Sequence, residues 1–247
     1  MKKFMILTAL LVSTLLFTSC DVNIGGTGNV SLGTVAGSGE MVLRDFAPGD
    51  FNAIEISGSF SVSFTEDSAA ALTVNMQENL FEHLEVDVRS NTLHVRSTRT
   101  FNTTPSNRPH ISIYAPALSA ISFAGAVDTV DWDHITGQSF TIDAAGAANV
   151  ELSLNVENLE ISIAGASDVK LTGTADTADI SIAGASSVSA LELFTRDAAV
   201  SIAGAGNVDI AVSEHLDASI AGAGRIRYLG DPAVSRSIAG VGTIRPY

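Results

Sequence analysis

Four consecutive residues, Asp131, Trp132, Asp133 and His134, form the segment of this sequence that is best suited to chemistry. An indole ring can stack on a sugar, and two carboxylates with an imidazole can hold a hydroxyl-rich ligand or a metal ion. The same string is also typical of an exposed loop in which the tryptophan covers the side of the fold. We therefore predict a candidate ligand-binding site here, with a structural loop as the alternative.

Beyond these four residues, the sequence indicates no metal, cofactor or catalytic site. The other histidines, at positions 83, 94, 110 and 215, are scattered and lack metal-ligand spacing. A series of mostly small polar residues that could hold Ca²⁺ comprises Asp128, Asn149, Asp168 and Asn207, but is interrupted by Ser187, Arg225 and Thr243. We interpret that series as turn residues or a hydrogen-bonded ladder. Nucleophile-elbow, Walker, dinucleotide-binding and zinc-protease motifs are absent, so we predict a protein that is not an enzyme.

Residues 1–20 are typical of a bacterial lipoprotein signal peptide. Lys2 and Lys3 precede a short apolar stretch that ends in Phe17-Thr18-Ser19-Cys20, which resembles a lipobox apart from the phenylalanine. Cys20 is the only cysteine, which excludes disulfides within the chain. We expect Cys20 to carry the lipid and the Gly-rich residues 21–39 to form a flexible tether. An ordinary secretory signal is the alternative.

The rest of the chain contains a repeat. Ala-Gly-Ala, or once Ala-Gly-Val, recurs every 18 to 21 residues around Gly125, Gly146, Gly165, Gly184, Gly204, Gly222 and Gly240. Alignment on the glycines gives mainly apolar residues two and four positions earlier and, with one exception, serine three positions earlier. Apolar-Ser-apolar is the period of a strand with one buried face, and columns that repeat across units indicate stacked parallel strands.

These columns predict an all-β fold, specifically a right-handed parallel β-helix, or β-solenoid, with rungs of about 18–21 residues. The isoleucine column would face inward and the serine column outward. Residues 40–120 are less regular and are predicted to form irregular N-terminal rungs, and residues 121–247 the regular ones. Four arginines in the last rungs, at positions 225, 227, 236 and 245, would suit a C-terminal cap.

Composition and charge limit the partners. The chain has 247 residues, of which 46% are hydrophobic and 16% charged, and its formal net charge is −14. Such a surface repels polyanions, so we expect that nucleic acid is not a partner. The expected partners are the membrane, through the lipid anchor, and a glycan or surface protein.

Three segments carry a resemblance to a known family: residues 37–64, residues 84–95 (LEVDVRSNTLHV) and residues 116–130 (PALSAISFAGAVDTV), followed by the repeats. They resemble the family named putative auto-transporter adhesin, head GIN domain. The resemblance covers about residues 37–247 and implies a β-helical envelope protein, often a lipoprotein of Gram-negative bacteria. It carries no catalytic or ligand residues over to this chain.

The sequence leaves three functions open. We favour a non-enzymatic, adhesin-like lipoprotein of the cell envelope, expected at the outer membrane, whose long acidic β-surface serves as a binding or structural module. A polysaccharide-active enzyme is the second hypothesis, because the β-helix fold occurs in lyases and hydrolases. A scaffold that assembles end to end through its open rungs is the third.

Overall fold

A computed structural model describes residues 33–247, which are almost entirely β-strand. Two short 3-10 helices, Glu78–His83 and Pro105–Asn107, interrupt the strands. Within the described residues no helix is long and apolar enough to cross a membrane. In chain order the strands are β1 Val35–Ala36, β2 Met41–Phe46, β3 Ala53–Glu66, β4 Ala71–Gln77, β5 Leu84–Arg89, β6 Thr92–Ser97, β7 Phe101–Asn102, β8 His110–Ala115, β9 Ala120–Trp132, β10 Ile135–Gly146, β11 Asn149–Gly165, β12 Asp168–Gly184, β13 Ser187–Gly204, β14 Asn207–Gly222, β15 Arg225–Leu229, β16 Ala233–Gly240 and β17 Thr243–Pro246.

The predicted β-solenoid is confirmed. Strands β9 to β14 pair in parallel, each with the next along the chain, and the rungs continue through β15, β16 and β17. Ile182 lies in register between Ile163 and Ile202, and all three are at most 2% exposed. Ser181, one residue before Ile182, is exposed. The alternation therefore places one face of each strand in a continuous dry core.

Each of the strands β10 to β14 ends at its repeat glycine. Gly184 has a positive φ of 136° and stacks in register on Gly165 and below Gly204. A Cβ at Gly184 would lie 2.3 Å from the carbonyl oxygen of Gly165. The chain turns there within two residues before the next strand begins, so both the backbone angle and the close approach of successive rungs require glycine.

The N-terminal part is organised differently from the predicted series of rungs over residues 40–120. Strand β3 stacks directly on β9, with Gly58 opposite Gly125, and so forms a rung in the same columns. After β3 the chain folds against the edge of β3 that faces away from β9, and the regular rungs resume at Ala120. The intervening β6 and β8 pair with the other edge of β3 in parallel, whereas β5 and β4 add to them antiparallel, and β2 adds to β4. An antiparallel cap thus closes the first rung, which protects that edge.

The N-terminal end of the described chain also departs from expectation. The predicted tether extends to residue 39, but Val35–Ala36 pairs in parallel with Phe101–Asn102. The reason is packing, since Val35 lies against the core and Phe101 is buried with its ring 6.2 Å from that of Phe60. The predicted signal peptide and Cys20 lie outside the described residues.

Candidate functional site

The structure does not bring the side chains of residues 131–134 together. Asp131 has a positive φ of 50° at the end of β9. Trp132 turns inward, with its ring 5.5 Å from Phe64 and 6.4 Å from Phe123, and its indole N–H donates to the carbonyl of Val62 at 2.8 Å. A half-buried ring whose N–H is already bonded offers little face for stacking a sugar.

The other two side chains fasten neighbouring strands. The Asp133 carboxylate accepts the backbone N–H of Glu66 at 2.8 Å, and the Asp133 N–H donates to Phe64 O at 3.0 Å. His134 Nδ1 lies 2.8 Å from the hydroxyl of Ser153 on β11. These contacts join the segment after β9 to the end of β3 and to β11. The geometry therefore favours a structural loop over a ligand-binding site for this segment.

The polar series beginning at Asp128 forms a hydrogen-bonded ladder at its start. Asn149 Nδ2 donates to Asp128 Oδ1 at 2.6 Å, and Asp128 also pairs with Arg108. The Arg108 guanidinium donates further to the carbonyls of Phe60 at 3.1 Å and Ala126 at 2.7 Å. Asp128 therefore anchors the loop before β8 to the solenoid, which leaves it poorly placed to bind Ca²⁺.

A trough on the outer surface of β10 to β14 is the candidate polar site. Its volume is about 590 Å³ and it remains open to solvent. Two columns of outward-facing residues line it, one from each side of the buried Leu159 and Ala178. The first column contains Ser139, Asn158, Thr177, Asp197 and His215, and the second Thr141, Glu160, Asp179, Ala199 and Asp217.

Hydrogen bonds between rungs preorganise the first column. Thr177 Oγ1 donates to Asn158 Oδ1 at 2.9 Å, and His215 Nδ1 lies 2.7 Å from Asp197 Oδ1. Glu160, Asp179 and Asp217 of the second column are exposed. Between residues 109 and 224 the chain has fifteen Asp and Glu but only Lys170 and Arg196 as Lys or Arg. The trough is therefore strongly acidic.

Asp197 is the most strongly held carboxylate of the trough. The hydrogen bond from His215, and after it that from Arg196 Nε at 2.9 Å, lowers the pKa of Asp197 below its ordinary 3.8. Asp197, Glu214 and His215 offer ligand atoms within 4.8 Å of one another, the one such triad found within residues 33–247. Because Arg196 already binds Asp197, a cation there would meet a guanidinium, which disfavours a metal site.

Sequence reasoning missed this pairing. In the sequence, His215 is one of several scattered histidines, and nothing near Asp197 marks it as a partner for an imidazole. The signal that could have found them is the repeat itself, because a spacing of 18 residues places both on adjacent rungs in one column.

We expect the pKa of Asp197 to rise in a His215→Ala variant, because its first stabilising hydrogen bond is lost. Because the pKa of Asp197 is lower in the folded chain, its ionised form stabilises the fold above pH 3.8. This contribution to the free energy of unfolding disappears as the pH falls through the pKa of the folded state. A ¹³C carboxyl NMR titration measures the change, with His134→Ala as the control. An unaltered Asp197 titration in His215→Ala would show that the imidazole does not hold the carboxylate.

The fold and its surface define a parallel β-solenoid protein with an open acidic trough along its rungs. The family model described as "Putative auto-transporter adhesin, head GIN domain" matches residues 50–232. The chain belongs to this family, which confirms the resemblance seen in its sequence. Membership indicates an adhesin-like protein of the cell surface or envelope.

Solved structures share the fold. An adhesin described as putative, from Bacteroides fragilis, has 28% identity and a TM-score of 0.79, and the match covers 86% of this chain and 100% of that one. A "putative lipid binding protein" from Parabacteroides distasonis has 23% identity, a TM-score of 0.67 and coverage of 87% and 100%. A second "putative adhesin", from Parabacteroides merdae, has 21% identity, a TM-score of 0.66 and coverage of 87% and 99%. The comparison with curated proteins found no match.

Proposed function

We propose that this chain is a non-enzymatic, adhesin-like envelope protein that binds a neutral or cationic polymer, foremost a glycan, along the trough of β10 to β14. The observation that carries the proposal is the repetition of polar side chains at the rung spacing, in two columns over an open trough. A repeated surface suits weak contacts that multiply along an extended ligand. The relative from Bacteroides fragilis supports an adhesin-like role.

The charge of the trough selects the kind of ligand. Glu160, Asp179 and Asp217 are exposed on its rim, and Lys170, which pairs with Glu151 at 2.6 Å, lies on another surface. An anionic polymer would bring its charges close to this column, where the nearby guanidinium of Arg196 is already bonded to Asp197 at 2.9 Å. Neutral hydroxyls can bond to carboxylate and amide oxygens, and amino groups gain a favourable field in addition.

A polysaccharide hydrolase is the second candidate, because the trough contains several carboxylates. Glycosidases need one carboxyl group with a raised pKa as general acid and a second as base or nucleophile. Asp197 has the opposite shift, since His215 and Arg196 hold it ionised. This favours binding over catalysis.

The test is a glycan array probed with the full-length chain and with a triple variant, Glu160→Gln, Asp179→Asn and Asp217→Asn. We expect the apparent Kd for bound glycans to rise by about tenfold or more in this variant. A matched control removes the same charge from another face through Glu151→Gln, Asp168→Asn and Glu192→Gln, and should change the Kd less than about threefold. Equal losses in both variants would refute the trough as the site. Release of new reducing ends from a bound glycan would establish the hydrolase instead.

We also propose that Cys20 carries a lipid that anchors the chain in a membrane, with the outer membrane as the expected location. In cells, Cys20→Ala should move the chain from the membrane fraction to the soluble fraction, because a lipid anchor supplies most of the membrane affinity. A Ser19→Ala variant, which keeps a small residue before the cysteine, is the control and should stay in the membrane fraction. Retention of Cys20→Ala on membranes washed with high salt would contradict the anchor.

A further inference from the structure

Exposed apolar side chains are concentrated at the two ends of the stack. Among residues 33–247, eight large hydrophobic residues are exposed, and only Val130 and Phe194 belong to the middle rungs. The others lie at the N-terminal cap or around the last rung: Met41, Leu43, Leu229, Ile238, Val241 and Tyr247. Clustered exposed apolar groups mark interaction surfaces more often than scattered ones do.

The C-terminal end is an uncovered rung. Ile238 continues the inner isoleucine column, but it is 45% exposed whereas Ile220 beneath it is 2% exposed. Val241, just beyond the last repeat glycine, is 82% exposed. Within the described residues, β16 pairs only with β14 and β17 only with β15, so the backbone at their outer edges has no partner. Ile238 and Val241 therefore remain exposed although four arginines lie in these last rungs.

The N-terminal end presents a second free edge. Strand β2 is the last strand of the sheet at the end opposite to β17, and among the described residues it pairs only with β4. Leu43 on β2 is 63% exposed and Met41 is 38% exposed. Unpaired edges with exposed apolar residues are templates for adding a strand from another chain.

The two ends carry opposite charge. Residues 225–247 contain Arg225, Arg227, Arg236 and Arg245 against a single acid, Asp231, and Arg227 is paired with Asp209 of the rung below. Near β2, in contrast, Glu40, Asp45, Glu78 and Glu82 stand against Arg44. Two C-terminal ends placed together would repel each other, whereas a C-terminal end placed against an N-terminal cap is attracted.

We infer that copies of this chain associate head to tail, with the last rung of one copy against β2 and its cap in the next copy. The contact joins two different surfaces, so it leaves a free end on each side and can extend to a filament. The partner is a second copy, because the same chain supplies both the basic apolar end and the acidic apolar edge.

Light scattering coupled to size exclusion, on the full-length chain in detergent, tests this inference. We expect the mass to increase with protein concentration beyond two copies and to decrease with added salt, since opposite charges contribute.

Leu43→Lys at one end and Val241→Glu at the other should each raise the apparent Kd of self-association by about tenfold or more. Both side chains are largely exposed, so the fold should tolerate the changes. Phe194→Lys, at a middle-rung residue that is 65% exposed, is the matched control.

Mixing the two end variants gives the decisive result. A Leu43→Lys copy keeps an intact C-terminal end and a Val241→Glu copy keeps an intact cap, so the mixture should form pairs and stop there. A single-copy mass at every concentration would overturn the inference. So would self-association of Leu43→Lys with the strength of the unaltered chain, which would indicate contact between two C-terminal ends. Loss of association in Phe194→Lys would place the contact on the side of the solenoid and overturn it as well.

Discussion

Replacing Ile182 by aspartate is expected to destabilise the solenoid by about 4 kcal/mol, the largest effect we predict for a single substitution. Ile182 is 2% exposed and lies in register between Ile163 and Ile202. A carboxylate at this position would meet only apolar neighbours and would have to be protonated or expose the core to water. Urea unfolding of the full-length chain, followed by circular dichroism, measures the loss as a lower midpoint.

Ser181→Asp is the matched control, because it introduces the same side chain one residue earlier on the same strand. Ser181 is exposed, and Asp143 already occupies that column two rungs below. We expect a change of less than about 1 kcal/mol. Similar losses for Ser181→Asp and Ile182→Asp would reverse the assignment of the inner and outer faces.

Gly184→Ala should cost about 3 kcal/mol, although it adds only one methyl group. The new Cβ would lie 2.3 Å from the carbonyl oxygen of Gly165, and the backbone has a φ of 136° that alanine rarely adopts. Two rungs would have to separate locally to relieve this contact. The same urea experiment measures the loss.

Gly137→Ala provides the comparison for that substitution. Nothing lies within 4 Å of a Cβ built at Gly137, where φ is not positive. The change should therefore be neutral or stabilise the fold by about 0.5 kcal/mol, through a lower entropy of the unfolded chain. If Gly184→Ala proved as harmless as Gly137→Ala, the repeat glycines would not be required by the stacking of rungs.

The regular rungs could be predicted because residues at the same position of successive rungs stack on one another and share the same surroundings. Ile163, Ile182 and Ile202 recur since each fills the same place in the core, and Gly165 and Gly184 recur since each turns the chain at the same corner. These constraints act within about twenty residues of chain and therefore appear as a period in the sequence.

The N-terminal cap could not be predicted in the same way. Its strands pair across long separations and in both directions, as between Phe46 and Leu72, or Leu72 and Ile113. Alternation within β4 and β8 identifies strands without specifying partners or order. The packing partner of Trp132 could not be predicted for a related reason, because Phe64 comes from a strand far earlier in the chain.

The candidate site was the least predictable part. Each residue of the trough is an ordinary surface residue in its own segment, such as Asp179 or Asp217. Only the register of the rungs aligns them over one concave surface. A chemical motif was visible at residues 131–134 because it was contiguous, yet its side chains diverge in the fold.

The most direct test of the acidic trough is a calorimetric titration of the full-length chain at low salt with two polymers of equal length and opposite charge. Chitosan oligomers are cationic sugars, and polygalacturonate oligomers are anionic ones. We predict that chitosan binds at least about tenfold more tightly and that Glu160→Gln with Asp179→Asn and Asp217→Asn removes this preference. Tighter binding of polygalacturonate, or an unchanged preference in the triple variant, would contradict a trough that selects its polymer by charge.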